Sequence, residues 1–264
     1  MTKAYAKFAV TNSRRWIQFL LQFLTSLGDI FNLVESLKSF SETDKLMLQM
    51  LYSTIWGQAS EAWSDADATE HLAELASNRL MVSELMALLR YQYKHIDFID
   101  KAINLGFPCP LDLHCTYSRD QLLTALGYKR PSTIREGVKW LEDKKLDIFM
   151  ITLNKADKDY SPTTMYNDYS INETLFHWQS QSTTSEFSPT GQRYINHKKL
   201  GSKILLFVRE FKTDSLSNVA EAYTFLGPAS YVKHEGSRPM NITWKLEYPI
   251  PAKFLKKTNK VMVG

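Results

Sequence analysis

Apolar residues in the first 105 positions recur at steps of three and four. Trp16, Phe19, Leu20, Phe23, Leu24 and Leu27 form one stripe, and Leu46, Met50, Leu51 and Ile55 a second. Leu72, Leu75 and Ala76 continue the pattern, followed by Met81, Leu85, Leu88 and Leu89. Such spacing places each set on one face of an α-helix. Polar punctuation agrees: Ser41 with Asp44 is a capping box, Gly57 follows that helix, Ser64 and Asp65 open the next, and Gly106-Phe-Pro108 closes the region. We read the stripes as the seams of a bundle, packed within this region or against another domain.

From Leu111 the period changes. Ser118 with Gln121 caps a short helix that ends at Gly127, and beyond Lys129-Arg-Pro131 the alternation is that of strands. It predicts strands over 137–141, 146–153, 174–181, 203–211, 222–226, 231–234 and 241–248, separated by Gly, Pro, Asn and Ser connections. Seven short strands of this kind make a curved sheet or a barrel. The expected fold is therefore α+β, with a helical module over residues 1–108 and a β-rich domain with minor helices over 109–264.

Composition adds limits. With 264 residues, 44% of them hydrophobic, the chain suffices for one large domain or two small ones. Its longest apolar run, Trp16 to Leu24, is interrupted by glutamine and is about half of the roughly 20 residues that a membrane span needs. No basic-then-apolar leader precedes it, so the expected setting is the cytoplasm without membrane contact. Two cysteines do not build a disulfide framework. Cys109, His114 and Cys115 cluster locally, but they lack a fourth ligand and the usual cysteine spacing of a zinc site; no metal or cofactor is expected.

Charge is unevenly placed. Residues 193–264 carry 13 basic and 5 acidic side chains, whereas residues 1–192 are slightly acidic. A basic region on an otherwise neutral protein is either a solvated lysine-rich surface or a footprint for nucleic-acid phosphates.

Standard catalytic signatures are missing, including phosphate-binding glycine loops, the G-x-S-x-G elbow and the H-E-x-x-H pair. One enzyme-like pattern is Glu210-Phe-Lys212 at the end of an apolar strand. Together with Asp147 or Asp168, it has the residue types of a metal-dependent nuclease site. The same residues also suit the exposed end of a strand leaving the core.

The stretch LFHWQSQSTTSEFSPTGQRYINH, residues 175–197, concentrates hydrogen-bonding side chains behind an aromatic pair. As a strand, it puts His177, Gln179 and Gln181 on one face and Phe176, Trp178 and Ser180 on the other. Either Phe176 and Trp178 are core residues, or the group forms a rim continued by Arg193, Tyr194, His197, Lys198 and Lys199.

The runs YSRDQLLTALGY, EGVKWLEDKKLDIFMITLNKADKDYSPTTMYNDY, FHWQSQSTTS, SPTGQRYINH, ILLFVREFK and YTFLGPASYVKHEGSRPMNITWKLEYPIPAKFL occur in this order. Over about residues 112–258 the chain resembles the C-terminal domain of bacterial restriction and defence proteins that fuse a phospholipase-D-type nuclease to a DEAD/DEAH helicase. The resemblance implies the C-terminal part of a longer protein, a restriction enzyme of the modification-dependent type. The domain itself would be non-catalytic, recognising double-stranded DNA that carries 5-methylcytosine or 5-hydroxymethylcytosine. It would act beside the helicase and nuclease domains of the same parent chain, with homo-oligomer formation also open.

That role implies a base-flipping domain of the SRA or EVE kind, whose pocket needs aromatic faces, an acceptor for the cytosine amino group and donors for its polar edge. Tyr160, Tyr166, Tyr169, Phe176 and Trp178 are candidate faces, with His177 beside them. Asp168 is the candidate acceptor, and Gln179, Ser180, Gln181 and Ser182 are candidate donors. Phosphate contacts are expected from Lys155, Arg193, Lys198, Lys199, Lys203, Arg209, Lys212, Lys233, His234, Ser237 and Arg238, the last three in a glycine-containing turn. Lys253, Lys256, Lys257 and Lys260 read as a solvated tail. The competing readings are a nuclease using Glu210 and Lys212, and a structural coupling domain that oligomerises the parent enzyme.

Overall fold

A computed structural model of the chain describes residues 2–27, 38–57, 65–154, 168–214 and 219–258. The chain divides into two compact units, 1–135 and 136–264.

The first unit is mainly helical. Helices α1 (Thr2–Ala9), α2 (Arg14–Ser26), α3 (Glu42–Trp56), α4 (Asp65–Ser77) and α5 (Arg79–His95) precede three two-residue strands, β1 (Lys101–Ala102), β2 (Asp112–Leu113) and β3 (Thr116–Tyr117), and helix α6 (Arg119–Ala125). The apolar stripes are the buried faces: Trp16, Leu20, Phe23 and Leu24 of α2 pack inward with Met50 and Leu51 of α3 and Leu85 and Leu89 of α5. Both sequence-predicted capping boxes form, Ser41 with Asp44 on α3 and Ser118 with Gln121 on α6, each satisfying two otherwise orphaned backbone N–H groups. Ser64, expected to open α4, lies outside the described residues. Gln121 Nε2 donates to Thr54 Oγ1 at 3.0 Å and ties α6 to α3. Arg14 ties α2 to the segment after α5, bonding Asp100 and the Ile96 and Phe98 carbonyls.

Strands of the second unit are β4 (Val138–Leu141), β5 (Leu146–Asn154), β6 (Tyr169–Ser170), β7 (Leu175–Gln179), β8 (Lys203–Phe211), β9 (Tyr223–Glu235) and β10 (Asn241–Leu246). They lie in the order β4-β5-β8-β9-β10-β7-β6, with β5 and β8 parallel and the other neighbours antiparallel. The fold is α+β, helices first and strands after. Among the described residues the path is open, with β4 at one edge and β6 at the other, so the structure has an open sheet and not the barrel.

Several elements differ from expectation; α1, β1, β2, β3 and β6 have no counterpart among the expected elements, and three further differences bear on the site. The strands expected at 222–226 and 231–234 are one thirteen-residue strand, β9. Gly227-Pro228 reads as a break, but Gly227 takes φ 89° where the register to β8 shifts, and this bulge admits Pro228 without ending the strand. Helix α7 (Pro189–Asn196) replaces the irregular rim expected between β7 and β8. Helix α8 (Ala252–Thr258) stands where a frayed tail was expected: Phe254 and Leu255 pack against the core, while Lys253 and Lys256 stay exposed.

Alternation in β7 is clean. Phe176 and Trp178 point into a core shared with Phe149, Tyr194, Ile204, Ile242 and Trp244, while Leu175, His177 and Gln179 lie on the opposite face, half-buried.

Candidate functional site

Helix α7 is clamped to the core side of the sheet. Ser188 caps it by accepting the Gly191 N–H at 3.1 Å, and Pro189 occupies its first turn. Arg193 then reaches Asp147 on β5 with two hydrogen bonds, Nε to Oδ2 at 2.8 Å and a terminal nitrogen to Oδ1 at 2.9 Å, and its guanidinium lies 4.3 Å from the Trp140 ring centre. Burial raises the Asp147 carboxyl above its ordinary range even though the Arg193 hydrogen bonds and charge pull it down. Arg193 is therefore not a phosphate contact: it holds a buried carboxylate.

Tyr194 stands edge-on to Phe149, Trp178 and Trp244. Trp178 stacks on Phe149 with ring centres 4.2 Å apart, which corrects its assignment as a base-stacking face. Next along the chain, His197 Nδ1 pairs with the Ser202 carbonyl at 3.2 Å and Nε2 accepts the Tyr231 N–H at 3.1 Å. That pattern requires the neutral ring with its proton on Nδ1, and burial lowers its pKa in agreement.

The segment between β7 and α7 is equally committed. Ser180 is fully buried; its hydroxyl accepts the Met240 N–H at 2.9 Å and donates to the Gln181 carbonyl at 3.2 Å. It is a structural link and not a base donor. His234 bonds Tyr231 Oη through Nδ1 at 2.6 Å and Glu186 through Nε2 at 3.2 Å, so its ring is occupied within the fold and does not face phosphate. Asp168 is buried, and its Oδ1 accepts the Gln179 N–H at 2.9 Å, which gives that oxygen a role in holding the β6–β7 edge.

The opposite face of the sheet offers a different surface. Register places Tyr169, His177, Thr243 and Lys233 in one row across β6, β7, β10 and β9. Tyr169 and His177 stack with ring centres 4.7 Å apart and planes 12° from parallel. Gln179, Asn241 and Glu235 form the next row. Tyr169 and Lys233 are exposed, His177, Gln179 and Asn241 are half-buried, and Thr243 between His177 and Lys233 is buried. The face combines a stacked aromatic pair, two amides and an ammonium group; Lys233 also pairs with Glu235 at 3.1 Å.

Basic candidates fall at three levels along the strands of this sheet. Leu146 pairs with Lys203 and Ile204 with Ala229, so the start of β8 is level with the middle of β9, and the row of Asn241, Gln179 and Glu235 lies further along β9 and β10, on the side away from Arg209. Exposed Lys203 starts β8, with exposed Lys198 and Lys199 shortly before it in the chain, whereas exposed Lys233, Ser237 and Arg238 and the segment carrying Gln181 and Ser182 belong to the far end of β9, β10 and β7. Arg209 and Lys212 lie at the other end, roughly 20 Å from Lys203 at about 3.3 Å per residue. Arg209 is engaged there: its Nε donates to Thr152 Oγ1 at 2.9 Å and its guanidinium sits 4.5 Å from the Tyr223 ring centre. Asp147 pairs with Ile204, and Asp168 adjoins Gln179, so both aspartates are at the end opposite Glu210. Neither can share a metal ion with it, and the constellation expected of a nuclease is not assembled.

Tyr160, Tyr166 and Lys155 lie outside the described residues. Cys109 and Cys115 are buried free thiols. Cys115 groups with Asp100 and Asp112, their ligand atoms within 4.8 Å of one another, and not with Cys109 and His114. Both carboxylates are taken by arginines, Asp100 by Arg14 at 2.7 Å and Asp112 by Arg15 at 2.8 Å.

Sequence reasoning missed helix α7. The signal was present in Ser188 followed by Pro189, a cap and a first-turn proline, with Tyr194 placed to bury inward.

An α+β fold whose sheet is covered by helix α7 on one side and carries a polar, aromatic-bearing row at its β6–β7 edge on the other defines the class. The chain belongs to the family described as Domain of unknown function (DUF3427), whose sequence profile matches residues 111–257, more than half of the chain. No curated protein matches it. No helix among the described residues is long and apolar enough to cross a membrane.

Proposed function

We propose that this chain is a non-catalytic DNA-recognition domain that binds double-stranded DNA containing 5-methylcytosine or 5-hydroxymethylcytosine by base flipping. The observation that carries the reading is the β6–β7 edge of the sheet, where Tyr169 stacks on His177 one row from Gln179 and Asn241, with exposed Lys233 in the same row and exposed Arg238, Lys198, Lys199 and Lys203 on the same unit. Aromatic rings supply a stacking surface indifferent to base identity, and amides read a polar base edge. Lysines and arginines supply the sequence-independent attraction to phosphate. In this reading the domain works in the cytoplasm as the target-finding part of a longer ATP-dependent restriction enzyme, next to helicase and nuclease domains.

The test is fluorescence anisotropy of the 264-residue chain on one short duplex in three versions, with cytosine, 5-methylcytosine or 5-hydroxymethylcytosine, at near-physiological salt without metal. A tenfold preference for a modified version, about 1.4 kcal/mol, is expected. Equal affinity for all three removes modified-base recognition, and absence of binding removes the DNA reading.

A further inference from the structure

Phe187 is the most exposed large aromatic side chain among the described residues, at 82%. Its backbone neighbours are nevertheless pinned. Ser188 N and Oγ both donate to the Ser185 carbonyl, at 3.0 and 2.6 Å, and the same hydroxyl accepts the Gly191 N–H. Gln192 Nε2 donates to the Glu186 carbonyl at 2.7 Å, and the Glu186 carboxylate meets His234. Gly191 fits so tightly that a Cβ there would sit 2.0 Å from the Ser185 carbonyl oxygen. An exposed phenylalanine on a loose loop is ordinary, because much of a protein surface is apolar. An exposed ring on a tip fixed from both sides is different: its position is set before any partner arrives.

The tip adjoins a basic turn. Arg238 N donates to the Thr184 carbonyl at 3.2 Å, which brings the turn with exposed Ser237 and Arg238 against the base of the tip. The nearby acidic groups are engaged, Glu186 with His234 and Glu235 with Lys233. Helix α7 leads from the tip toward exposed Lys198 and Lys199. A rigid apolar projection beside an arginine, at the border of the most basic quarter of the chain, has the chemistry with which proteins enter a base stack: an apolar side chain inserts between base steps while cations hold the flanking phosphates.

We propose that Phe187 is a wedge that inserts between base pairs of duplex DNA, unstacking the step beside the recognised base, with Arg238 and Ser237 on the adjoining phosphates. This deepens the DNA-recognition reading and rests on it. The wedge is separate from the Tyr169–His177 row, which lies on the face of the sheet away from α7.

The experiment uses the full chain and a duplex with 2-aminopurine, whose fluorescence rises on unstacking, next to a modified cytosine. Anisotropy gives affinity on the same sample, and sedimentation gives oligomeric state. Wild-type protein is expected to bind and raise the fluorescence, Phe187→Ala to lose the rise and about tenfold in affinity, and Phe187→Trp to retain both. Binding by Phe187→Ala with unchanged affinity and fluorescence overturns the wedge and leaves DNA recognition standing. No binding by the wild type sinks the DNA reading and the wedge together. Loss of self-association in Phe187→Ala, with DNA binding intact, overturns the wedge in favour of an interface with a second copy of the chain.

Discussion

Arg193 grips Asp147 through both oxygens of the carboxylate, from a helix on the core side of the sheet to the second residue of β5. Asp147 is almost fully buried, and its pKa is raised because burial outweighs the attraction of its partner. Removing the arginine alone strands a charge in the interior. Arg193→Met should cost about 3–5 kcal/mol, whereas Arg193→Met with Asp147→Leu should recover most of that. Chemical denaturation of the three proteins checks it; equal stability of single and double variants contradicts the clamp.

His197 makes stability depend on pH in a defined direction. Its pKa is lowered in the fold, so the unfolded chain takes up the proton first. The stabilisation is complete above the unfolded value of about 6.5 and declines as pH falls below it. Protonation also sets an N–H of the ring against the Tyr231 N–H that Nε2 now accepts. The melting temperature should drop between pH 7.5 and 5, and His197→Gln, which keeps an acceptor that cannot charge, should remove part of the drop. His114, also lowered by burial, contributes to the remainder.

Gly191 tests the seating of α7. Its absent side chain leaves room for the Ser185 backbone, which cannot step aside without breaking the cap formed by Ser188. Gly191→Ala should destabilise by about 3 kcal/mol despite adding only a methyl group. Thermal unfolding followed by circular dichroism measures this, and a wild-type melting curve would show that the tip yields.

The two faces of β7 should separate stability from binding. Trp178→Ala opens a core cavity and should cost about 3–5 kcal/mol. Tyr169→Ala, at an exposed edge position, should change stability by less than about 0.5 kcal/mol while weakening DNA binding about tenfold. Paired melts and anisotropy titrations distinguish the two; DNA affinity unaffected by Tyr169→Ala would remove the sheet face from the interface.

Salt dependence reports on the lysines. Replacing Lys198 and Lys199 together by Ala should lower the slope of log affinity against log salt by roughly 0.9 for each phosphate that these lysines neutralise. Replacing Lys212, at the far end of β8, should leave the slope unchanged. Titrations at four salt concentrations decide between the two ends.

Much of this architecture was readable in the amino-acid order, because periodicity and capping are local. Helices at three- and four-residue steps, the boxes at Ser41 and Ser118, and the alternation of Phe176 and Trp178 against His177 and Gln179 follow from the geometry of single elements. The inventory of basic and aromatic residues was equally plain. Tertiary structure decided what those residues are free to do. Which face of β7 is buried, and that Arg193 answers a carboxylate 46 positions earlier, depend on pairings between distant segments. So does the placing of Asp147 and Glu210 at opposite ends of one parallel strand pair. A side chain's chemistry is fixed by its type, but its availability depends on neighbours that the chain brings in from elsewhere, and no local pattern encodes them.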